Sequence, residues 1–342
     1  MKLGILKSYP EIDPLVESYR QACDACNVES VVLDLFADDW IEQIKQAHVD
    51  GVLVREKANI SEYKEMYNER LWVIKHYLKI PIYPSWHELF LYENKRMYAY
   101  FFETHGIRTP KTHVFYSKEE AMAYCNKTSY PIVVKTCGGA AGSGVSIVRK
   151  KSKAKRIIRS VFGRFDPRLA LGYVHFAKVG GVIPVPKLGM SQRHYLIIQE
   201  YIDIETEWRI IKLGDTYAGY IRPTINGYGS SELLEYGFPP KKLLFLIKEI
   251  TEANRFDSLS LDVLIGKDGE YYITEMQSLF GLWTPHQCEV DGVGGKIEFR
   301  NGDFVFVEGE DCFKWNGNLL RVQDFINKLN SNYYNNKDIV LL

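Results

Sequence analysis

The first 90 residues alternate short apolar runs with longer segments whose apolar positions recur with the period of a helix. Stretches 14–26 and 61–79 are the clearest helical segments. Strands and helices of these lengths in alternation predict a small parallel α/β unit. Its predicted strands are residues 3–6, 31–35, 51–55 and 80–83. No GxGxxG sequence follows the first run, which disfavours a Rossmann dinucleotide site there.

Beyond residue 90 the pattern changes to strands joined in pairs by turns, with single helices between them, which predicts an α+β arrangement. The Asn-Gly sequence at residues 301–302 predicts a tight hairpin. The pairs expected across it are Phe299 with Phe304 and Ile297 with Phe306. The predicted helices are residues 93–105, 118–125 and 241–254. The predicted strands are residues 113–116, 131–135, 145–148, 195–201, 207–213, 216–222, 259–265, 271–275, 296–300 and 303–307.

Charge is distributed unevenly along the chain. The 342 residues carry 43 Lys and Arg against 43 Asp and Glu, so the formal net charge is zero. Residues 1–88 carry a net −5, residues 89–198 a net +14, and residues 199–342 a net −9. Overall neutrality argues against a nucleic acid or an anionic membrane surface as the partner. The basic middle between acidic flanks indicates instead a small anion, with cations, handled within the protein.

The composition is that of a globular protein, with 46% hydrophobic and 25% charged residues. No segment reaches the roughly 18 consecutive apolar residues that a membrane span requires. The apolar part of the N-terminus is too short for a signal peptide. The six cysteines are scattered and predict no disulfide framework, and the CxxC of Cys23 and Cys26 has no second pair at zinc spacing. These features predict a cytoplasmic protein.

A Gly-rich segment, residues 138–144, joins two predicted strands. Glycines allow backbone N–H groups to approach an anion closely, so a hairpin of this kind can fold over phosphate oxygens. It is not a P-loop, because Val145 follows the last glycine where a P-loop carries Lys. Lys135, just before the loop, and Lys95, near the start of a helix, are candidate phosphate ligands. The alternative is a surface hairpin with two solvated lysines.

Two glutamates follow a strand that leaves its sheet. Glu200 ends the predicted strand 195–201, where a carbonyl or carboxylate and a backbone N–H can meet the edge of an adenine ring. Seven residues later, Glu207 is placed to accept hydrogen bonds from ribose hydroxyls. The alternative is that both glutamates are exposed charges at strand ends.

Two carboxylates are predicted to lie side by side on neighbouring strands. Asp262 lies within an apolar strand, where a charge is costly unless it is paired or bound to metal. Glu275 ends the next strand, and Gln277 follows two residues later. A four-residue turn between these strands would align the two carboxylates as ligands for Mg²⁺ shared with phosphates. The alternative is that Asp262 pairs with Lys or Arg, but an acidic pair beside a phosphate site favours a metal.

From residue 93 to residue 281, these motifs and their order resemble those of the ATP-grasp superfamily. The resemblance implies an ATP-grasp fold of α/β and α+β class that clamps ATP between two α+β subdomains. Residues 1–88 resemble the N-terminal parallel α/β (pre-ATP-grasp) domain of the family. Residues 89–198 would form the small subdomain with the Gly-rich flap. Residues 199–342 would form the C-terminal subdomain with the metal site and the terminal hairpin.

The resemblance also implies the roles of individual residues. Lys95 and Lys135 match the two lysines that contact phosphates. The flap positions are Gly138, Gly139, Gly142, Ser143 and Gly144. The nucleoside positions are Glu200 and the backbone of Ile202 for adenine and Glu207 for ribose. The magnesium positions are Asp262, Glu275 and Gln277.

Arg222 matches an arginine that binds the transferred phosphoryl group and the acyl phosphate. Arg209 is a second candidate for the same cleft, because its period-two spacing places it on one strand face with Glu207. Two positions depart from the family. Gln277 stands where Asn is usual, which keeps the amide oxygen on a longer side chain. Ser260 stands where D-alanine–D-alanine ligases carry an arginine, which disfavours synthesis of a peptidoglycan precursor.

The resemblance implies an ATP-dependent ligase that activates a carboxylate as an acyl phosphate and couples it to an amine or a thiol, releasing ADP and phosphate. Its metal would be Mg²⁺, with Mn²⁺ as the alternative. A phosphotransferase and a nucleotide-binding regulatory module without turnover stay open as alternative functions. The basic run 149–168 is either a solvated helix face or, with the loop 170–194, a site for an anionic substrate. The terminal Phe-rich hairpin is either a homodimer surface or core.

Overall fold

The computed structural model describes residues 1–8, 14–56, 61–139, 144–163, 192–225, 228–229, 233–281, 288–309, 312–331 and 333–334. Within these ranges the strands form three sheets, one of nine strands and two of four. None of the helices in the same ranges has both the length and the apolar character needed to cross a bilayer.

The structure has helices and strands in the alternation that the sequence pattern predicts. The described helices are α1 (Pro14–Ala25), α2 (Trp40–Ala47), α3 (Ser61–His76), α4 (Trp86–Leu91), α5 (Lys95–Thr104), α6 (Lys118–Lys127), α7 (Lys151–Val161), α8 (Lys241–Asn254) and α9 (Asn318–Asn330). The described strands are β1 (Lys2–Leu6), β2 (Glu29–Leu33), β3 (Gly51–Leu53), β4 (Ile82–Tyr83), β5 (Thr112–Phe115), β6 (Ile132–Lys135), β7 (Val145–Val148), β8 (Leu196–Glu200), β9 (Ile204–Leu213), β10 (Thr216–Ile225), β11 (Tyr228–Gly229), β12 (Glu235–Tyr236), β13 (Ser258–Gly266), β14 (Tyr271–Gln277), β15 (Glu289–Val290), β16 (Val293–Arg300) and β17 (Asp303–Glu308).

The first sheet is parallel throughout, in the order β2-β1-β3-β4. This confirms the α/β unit predicted for the start of the chain. The inner strands β1 and β3 are buried almost throughout, as expected for a parallel sheet covered by helices on each side. Leu3 and Ile5 pack with Tyr19 of α1 on one face. Leu6 packs with Leu71 of α3 on the other face.

The second sheet is antiparallel, in the order β5-β8-β6-β7. The hairpin of β6 and β7 aligns Lys135 with Val145, so the Gly-rich segment begins and ends at the same edge of the sheet. Helix α7 turns Ala154, Ile158 and Val161 into the core of this layer. The described part of the basic run is therefore a helix whose apolar side is buried.

The third sheet runs β14-β13-β9-β10-β16-β15, with β17 paired to β16. Its core lies under α5 and α8 and contains Phe102, Ile210 and Leu261, which are buried. The terminal hairpin has the register that the Asn-Gly turn predicts, because Phe299 lies opposite Phe304. Phe304 is buried in the core, which supports the core interpretation of this hairpin at that residue.

Helix α5 begins two residues later than the apolar pattern predicts. The side chain of Asn94 caps the helix by accepting a hydrogen bond from the backbone N–H of Met97, at 3.3 Å. The cap makes Lys95 the first helical residue and leaves Glu93 outside the helix, with a positive φ of 51°. The cap therefore positions both charged side chains of this segment.

Helix α9 was not predicted from the sequence, and it packs against the first sheet rather than the third. Val322 and Phe325 are fully buried beside Leu3 and Ile5 of β1. The two ends of the described chain therefore share one core. Phe325 fits against the sheet only because residue 51 of β3 is glycine: a Cβ added there would meet Phe325 Cε1 at 2.9 Å.

Gly51→Ala should separate α9 from the first sheet and lower the free energy of unfolding by about 1–3 kcal/mol, the usual cost of overpacking. Chemical denaturation measures this change. Gly237→Ala is the matched control, because a Cβ there meets no atom within 4 Å. Phe325→Leu combined with Gly51→Ala should recover part of the loss. Equal stability of both glycine variants would contradict the packing described.

Candidate active site

Four strands of the third sheet align charged side chains in one row. The register places Glu275 of β14 opposite Asp262 of β13, and Asp262 opposite Arg209 of β9. One step along, Glu207 of β9 lies opposite Arg222 of β10. Directly opposed residues of an antiparallel pair point to the same face, so all five meet over one face of the sheet. The structure thus brings together the two predicted carboxylates and both predicted arginines.

Asp262 is held by two arginines. Arg209 donates to both carboxylate oxygens, from Nε at 2.7 Å and from Nη2 at 2.8 Å. Arg222 Nη2 lies 2.5 Å from Oδ2 of the same carboxylate. Burial raises the pKa of Asp262, but the two guanidinium groups outweigh burial and hold it well below its ordinary value. The arginine pairing considered from sequence is therefore present, and metal ligation by Asp262 stays a prediction.

Glu207 is buried beside this pair and forms an ion pair with Arg222. Burial, together with the neighbouring charge of Asp262, raises the pKa of Glu207 to about 7. Nε of Arg222 is buried and has no hydrogen-bond partner within the described residues. One donor of Arg222 therefore remains available to an incoming anion.

Lys95 approaches the row from α5. Its ammonium lies 3.3 Å from Glu275 Oε1 and 3.8 Å from Glu93 Oε2, and it donates to the backbone oxygen of Gly139 at 3.0 Å. Burial alone lowers the pKa of Lys95, but the carboxylates of Glu275 and Glu93 raise it above its ordinary value. Lys95 is therefore a charged link between the Gly-rich segment and β14.

Lys135 ends β6 and lines a small cavity together with Lys95, Gln199 and Thr274. Its side chain is buried, and within the described ranges no hydrogen bond or ion pair to its ammonium is found. Burial is the main reason that the pKa of Lys135 falls to about 8. A buried ammonium that no described residue pairs with indicates a place for an anionic ligand.

The Gly-rich segment is anchored at its two ends. Thr136 N–H donates to the Gly144 oxygen at 2.8 Å, and Thr136 Oγ1 donates to the Gly138 oxygen at 2.6 Å. A Cβ on Gly144 would overlap Thr136 Oγ1, so only glycine fits there. The predicted flap residues Gly142 and Ser143 lie outside the described residues.

The predicted adenine hinge lies at the end of β8. Glu200 is exposed, and its backbone N–H donates to the Lys111 oxygen at 2.9 Å. Ile202 is partly buried in the segment that leads from β8 to β9. The chain therefore crosses here from the second sheet to the third, as the sequence predicts.

Part of the chain matches a known domain family, and its fold matches solved structures. A model of the ATP-grasp (A) domain of phosphoribosylglycinamide synthetase matches residues 93–166. The chain is also similar to the crystal structure of a RimK domain ATP-grasp protein from Sphaerobacter thermophilus, with a TM-score of 0.53, 16% identity, and coverage of 82% of this chain and 91% of that one. Residues 93–166 therefore match an ATP-grasp domain, and the chain shares the fold of ATP-grasp structures.

Two further crystal structures are similar to this chain. The D-cycloserine synthetase DcsG has a TM-score of 0.61 at 13% identity, over 96% of this chain and 100% of that one. The biotin carboxylase domain of a Hydrogenobacter thermophilus 2-oxoglutarate carboxylase, solved with MgADP and bicarbonate, has a TM-score of 0.55 at 14% identity, over 83% of this chain and 65% of that one.

The sequence similarity to known proteins extends over short segments. A phosphoribosylamine–glycine ligase of Fusobacterium nucleatum is 38% identical over 61 residues, which is 18% of this chain and 14% of that protein. An alpha-aminoadipate–LysW ligase, LysX, of Sulfurisphaera tokodaii is 46% identical over 54 residues, 16% of this chain and 19% of that protein. The chain thus spans less than a fifth of each relative.

The oxygen atoms at the end of β14 are of the kind that bind a magnesium ion. Among the described residues no three His, Cys, Asp or Glu side chains are grouped to hold a metal ion. Glu275 and Gln277 nevertheless lie together, with Gln277 Nε2 donating to Glu275 Oε2 at 3.4 Å. The contact uses the amide nitrogen of Gln277, so it does not involve the amide oxygen. Carboxylate and amide oxygens suit Mg²⁺, so the residues fit the ion, although Asp262 is shared with two arginines.

Glu93 is the site residue that sequence reasoning missed. It is buried, its Oε2 accepts from Gly139 N–H at 3.1 Å, and its Oε1 accepts from Gln277 Nε2 at 3.3 Å. No local pattern distinguishes it, because it lies between an apolar helix and a helix cap. A resemblance to the ATP-grasp family highlights the lysine two residues later instead.

Asp262→Asn should lower the free energy of unfolding by about 3–5 kcal/mol, because it leaves two buried arginines without their shared carboxylate. Thermal or chemical denaturation measures the loss. Asp303→Asn is the matched control: Asp303 pairs with Lys241 on the surface, with the side chains 51% and 52% exposed. The control should cost no more than about 1 kcal/mol. Similar losses in both variants would show that the Asp262 pairing is not a major contributor.

Proposed function

We propose that this ATP-grasp protein is an ATP-dependent ligase that activates a carboxylate as an acyl phosphate and couples it to an amine or a thiol. The observation that carries the proposal is the arrangement of charge in the cleft. Lys95 and Lys135 face a cavity on one side, and no described residue pairs with the Lys135 ammonium. Asp262 and Glu275 lie together on the adjoining sheet. A polyphosphate with a divalent cation needs both kinds of charge within a few ångströms.

The nucleotide would lie between the second and third sheets. Lys95, Lys135 and the Gly-rich segment would bind its phosphates. Glu200 and the backbone of Ile202 would bind adenine at the crossing between the sheets. Glu207 would accept from ribose, a role for which it would exchange its ion pair with Arg222. That exchange would release the Arg222 guanidinium toward the transferred phosphoryl group.

Glu275 and Gln277, with Asp262, would hold Mg²⁺ or, as the alternative, Mn²⁺. When bound, such an ion offsets charge on phosphate oxygens. The side chains of the protein perform the remaining tasks. Lys95 and Lys135 stabilise the triphosphate, and Arg222 stabilises charge that develops on the transferred group.

The chemistry proceeds in two displacements. A substrate carboxylate oxygen attacks the γ-phosphorus of ATP, and the bond to the leaving ADP oxygen breaks. The nitrogen or sulfur nucleophile then attacks the acyl carbon, phosphate departs, and the nucleophile loses its proton. Closure of the Gly-rich flap would exclude water from the acyl phosphate. None of these steps requires a Ser, Cys or His nucleophile from the protein.

The substrates would be small molecules, a carboxylic acid and an amine or thiol. We propose residues 1–88 as the pre-ATP-grasp domain, residues 89–198 as the flap-bearing subdomain and residues 199–342 as the metal-bearing subdomain. The carboxyl end of β3 leads to Arg55, whose Nη1 donates to the oxygen of Phe280, after β14, at 3.4 Å. Ligands of α/β sheets bind at such strand ends, which favours the acid or amine there.

The test combines product analysis with chemical trapping. The protein is incubated with Mg·ATP and a panel of carboxylic acids and amines, and ADP and AMP are quantified. We expect ADP and phosphate, and a hydroxamate when hydroxylamine replaces the amine, since an activated acyl group yields one and a phosphorylated alcohol does not. AMP with pyrophosphate would rule out the proposed route. ADP with a phosphorylated alcohol and no hydroxamate would identify a phosphotransferase. Tight nucleotide binding without turnover would identify a regulatory module.

Binding of a nucleotide should depend on pH through Lys135. Its pKa of about 8 is below the ordinary value for lysine, so its charge is present below pH 8 and is lost as the pH rises through that value. The affinity for a Mg·ATP analogue should therefore fall between about pH 7 and pH 9, by up to about tenfold, the scale of one screened charge pair. Isothermal titration calorimetry measures the affinity.

Lys135→Arg is the diagnostic variant for this dependence. A guanidinium keeps its charge throughout the range, so the pH profile should become flat. Lys95 should not contribute a step, because nearby carboxylates raise its pKa. An unchanged profile in Lys135→Arg would assign the dependence to another group.

A further inference from the structure

Glu93 lies at the centre of the cleft, and the proposed reaction assigns no role to its side chain. Its carboxylate is buried and has contacts on both sides of the cleft. One oxygen, Oε2, accepts from the backbone N–H of Gly139 at 3.1 Å and lies 3.8 Å from Lys95 Nζ. The other, Oε1, accepts from Gln277 Nε2 at 3.3 Å. Glu93 therefore joins the base of the Gly-rich segment to the end of β14.

The groups that Glu93 contacts are those that suit a phosphate. A backbone N–H of a glycine and a lysine ammonium are the usual donors to phosphate oxygens. Lys95 also donates to the Gly139 oxygen at 3.0 Å, so the glycine is held on both its N–H and its carbonyl. A carboxylate and a phosphate compete for the same donors, because both are oxygen anions.

The backbone around Glu93 fixes its carboxylate in this position. Its φ is 51°, which places the residue in the left-handed region, where a non-glycine residue carries a conformational cost. Its N–H donates to the Tyr98 hydroxyl at 2.8 Å, and Asn94 caps the helix that follows. A local strain held by two neighbouring contacts indicates that the position of this side chain matters to the site.

We propose that the Glu93 carboxylate is an internal anion that holds the base of the Gly-rich segment through donors that a nucleotide phosphate takes over on binding. Glu93 is thus a positioning residue that keeps the phosphate donors aligned in the free protein and opposes nucleotide binding by its charge. The inference rests on the proposed function, because it requires that nucleotide binds in this cleft.

Nucleotide affinity tests the proposal. Binding of a non-hydrolysable Mg·ATP analogue is measured by isothermal titration calorimetry for the wild type, Glu93→Gln, Glu93→Asp and Glu103→Gln. Glu93→Gln removes the charge and should tighten binding about tenfold, the scale of one screened charge pair. Glu93→Asp keeps the charge and should bind the analogue within about twofold of the wild-type affinity, a change no larger than that of one weak ion pair. Glu103 lies exposed on α5, the helix that follows Glu93, so Glu103→Gln should leave the affinity unchanged.

A second measurement follows the segment without nucleotide. Amide hydrogen exchange at residues 136–139 should accelerate in Glu93→Ala, which removes the acceptor of the Gly139 N–H, and should be unchanged in Glu103→Gln. This measurement does not depend on any variant binding nucleotide.

The outcomes separate the inference from the proposed function. A wild-type protein that does not bind the analogue would overturn the proposed function, and this inference with it. A wild-type protein that binds, together with a folded Glu93→Gln that binds equally well or more weakly, would overturn this inference alone. Unchanged exchange in Glu93→Ala would likewise show that Glu93 does not hold the segment.

Discussion

The cost of burying charge constrains this cleft more than any other feature. Among the residues that the structure describes, its acidic side chains are Glu93, Glu207, Asp262 and Glu275, and its basic side chains are Lys95, Lys135, Arg209 and Arg222. With four charges of each sign the set is formally neutral, and its members lie on elements far apart in sequence. Because an unpaired buried charge is expensive, the strands and helices that carry these residues must keep a fixed register. The third sheet supplies that register.

Because the set of charges is neutral, the net charge of a ligand affects how well the cleft can bind it. A triphosphate alone would add several negative charges to a balanced set, whereas a triphosphate with divalent cations adds few. The arginines that pair with Asp262 and Glu207 would exchange these partners for phosphate oxygens, and the freed carboxylate oxygens would face the metal. Such an exchange changes partners without leaving a charge unpaired. This gives a physical reason for arginines and carboxylates to alternate along the row instead of lying in separate clusters.

Much of the fold follows from local sequence, and the site follows only in part. Period-two strands and turns locate the row, and Asp262 and Glu275 lie side by side as predicted. Their pairing also depends on a β-bulge between Asp262 and Val263 that shifts the register by one residue, and the sequence did not predict that bulge. The N-terminal parallel sheet was equally predictable, because its apolar runs alternate with helices. Helix α9 was not predicted, because it is held by packing between Phe325 and Gly51, which lie far apart in the sequence. Glu93 was missed for a similar reason: its partners are distant in sequence.

The side chain of Gln277 contacts both the predicted metal position and the base of the Gly-rich segment. From sequence it was a departure from the usual asparagine, with an amide on a longer side chain. In the structure its Nε2 reaches both Glu275, on its own strand, and Glu93, at the base of the Gly-rich segment. An asparagine, one methylene shorter, would extend less far toward Glu93. The extra length of Gln277 therefore links the predicted metal position to the Gly-rich segment. The unusual residue, Gln277, and the unpredicted carboxylate, Glu93, are partners in one hydrogen bond.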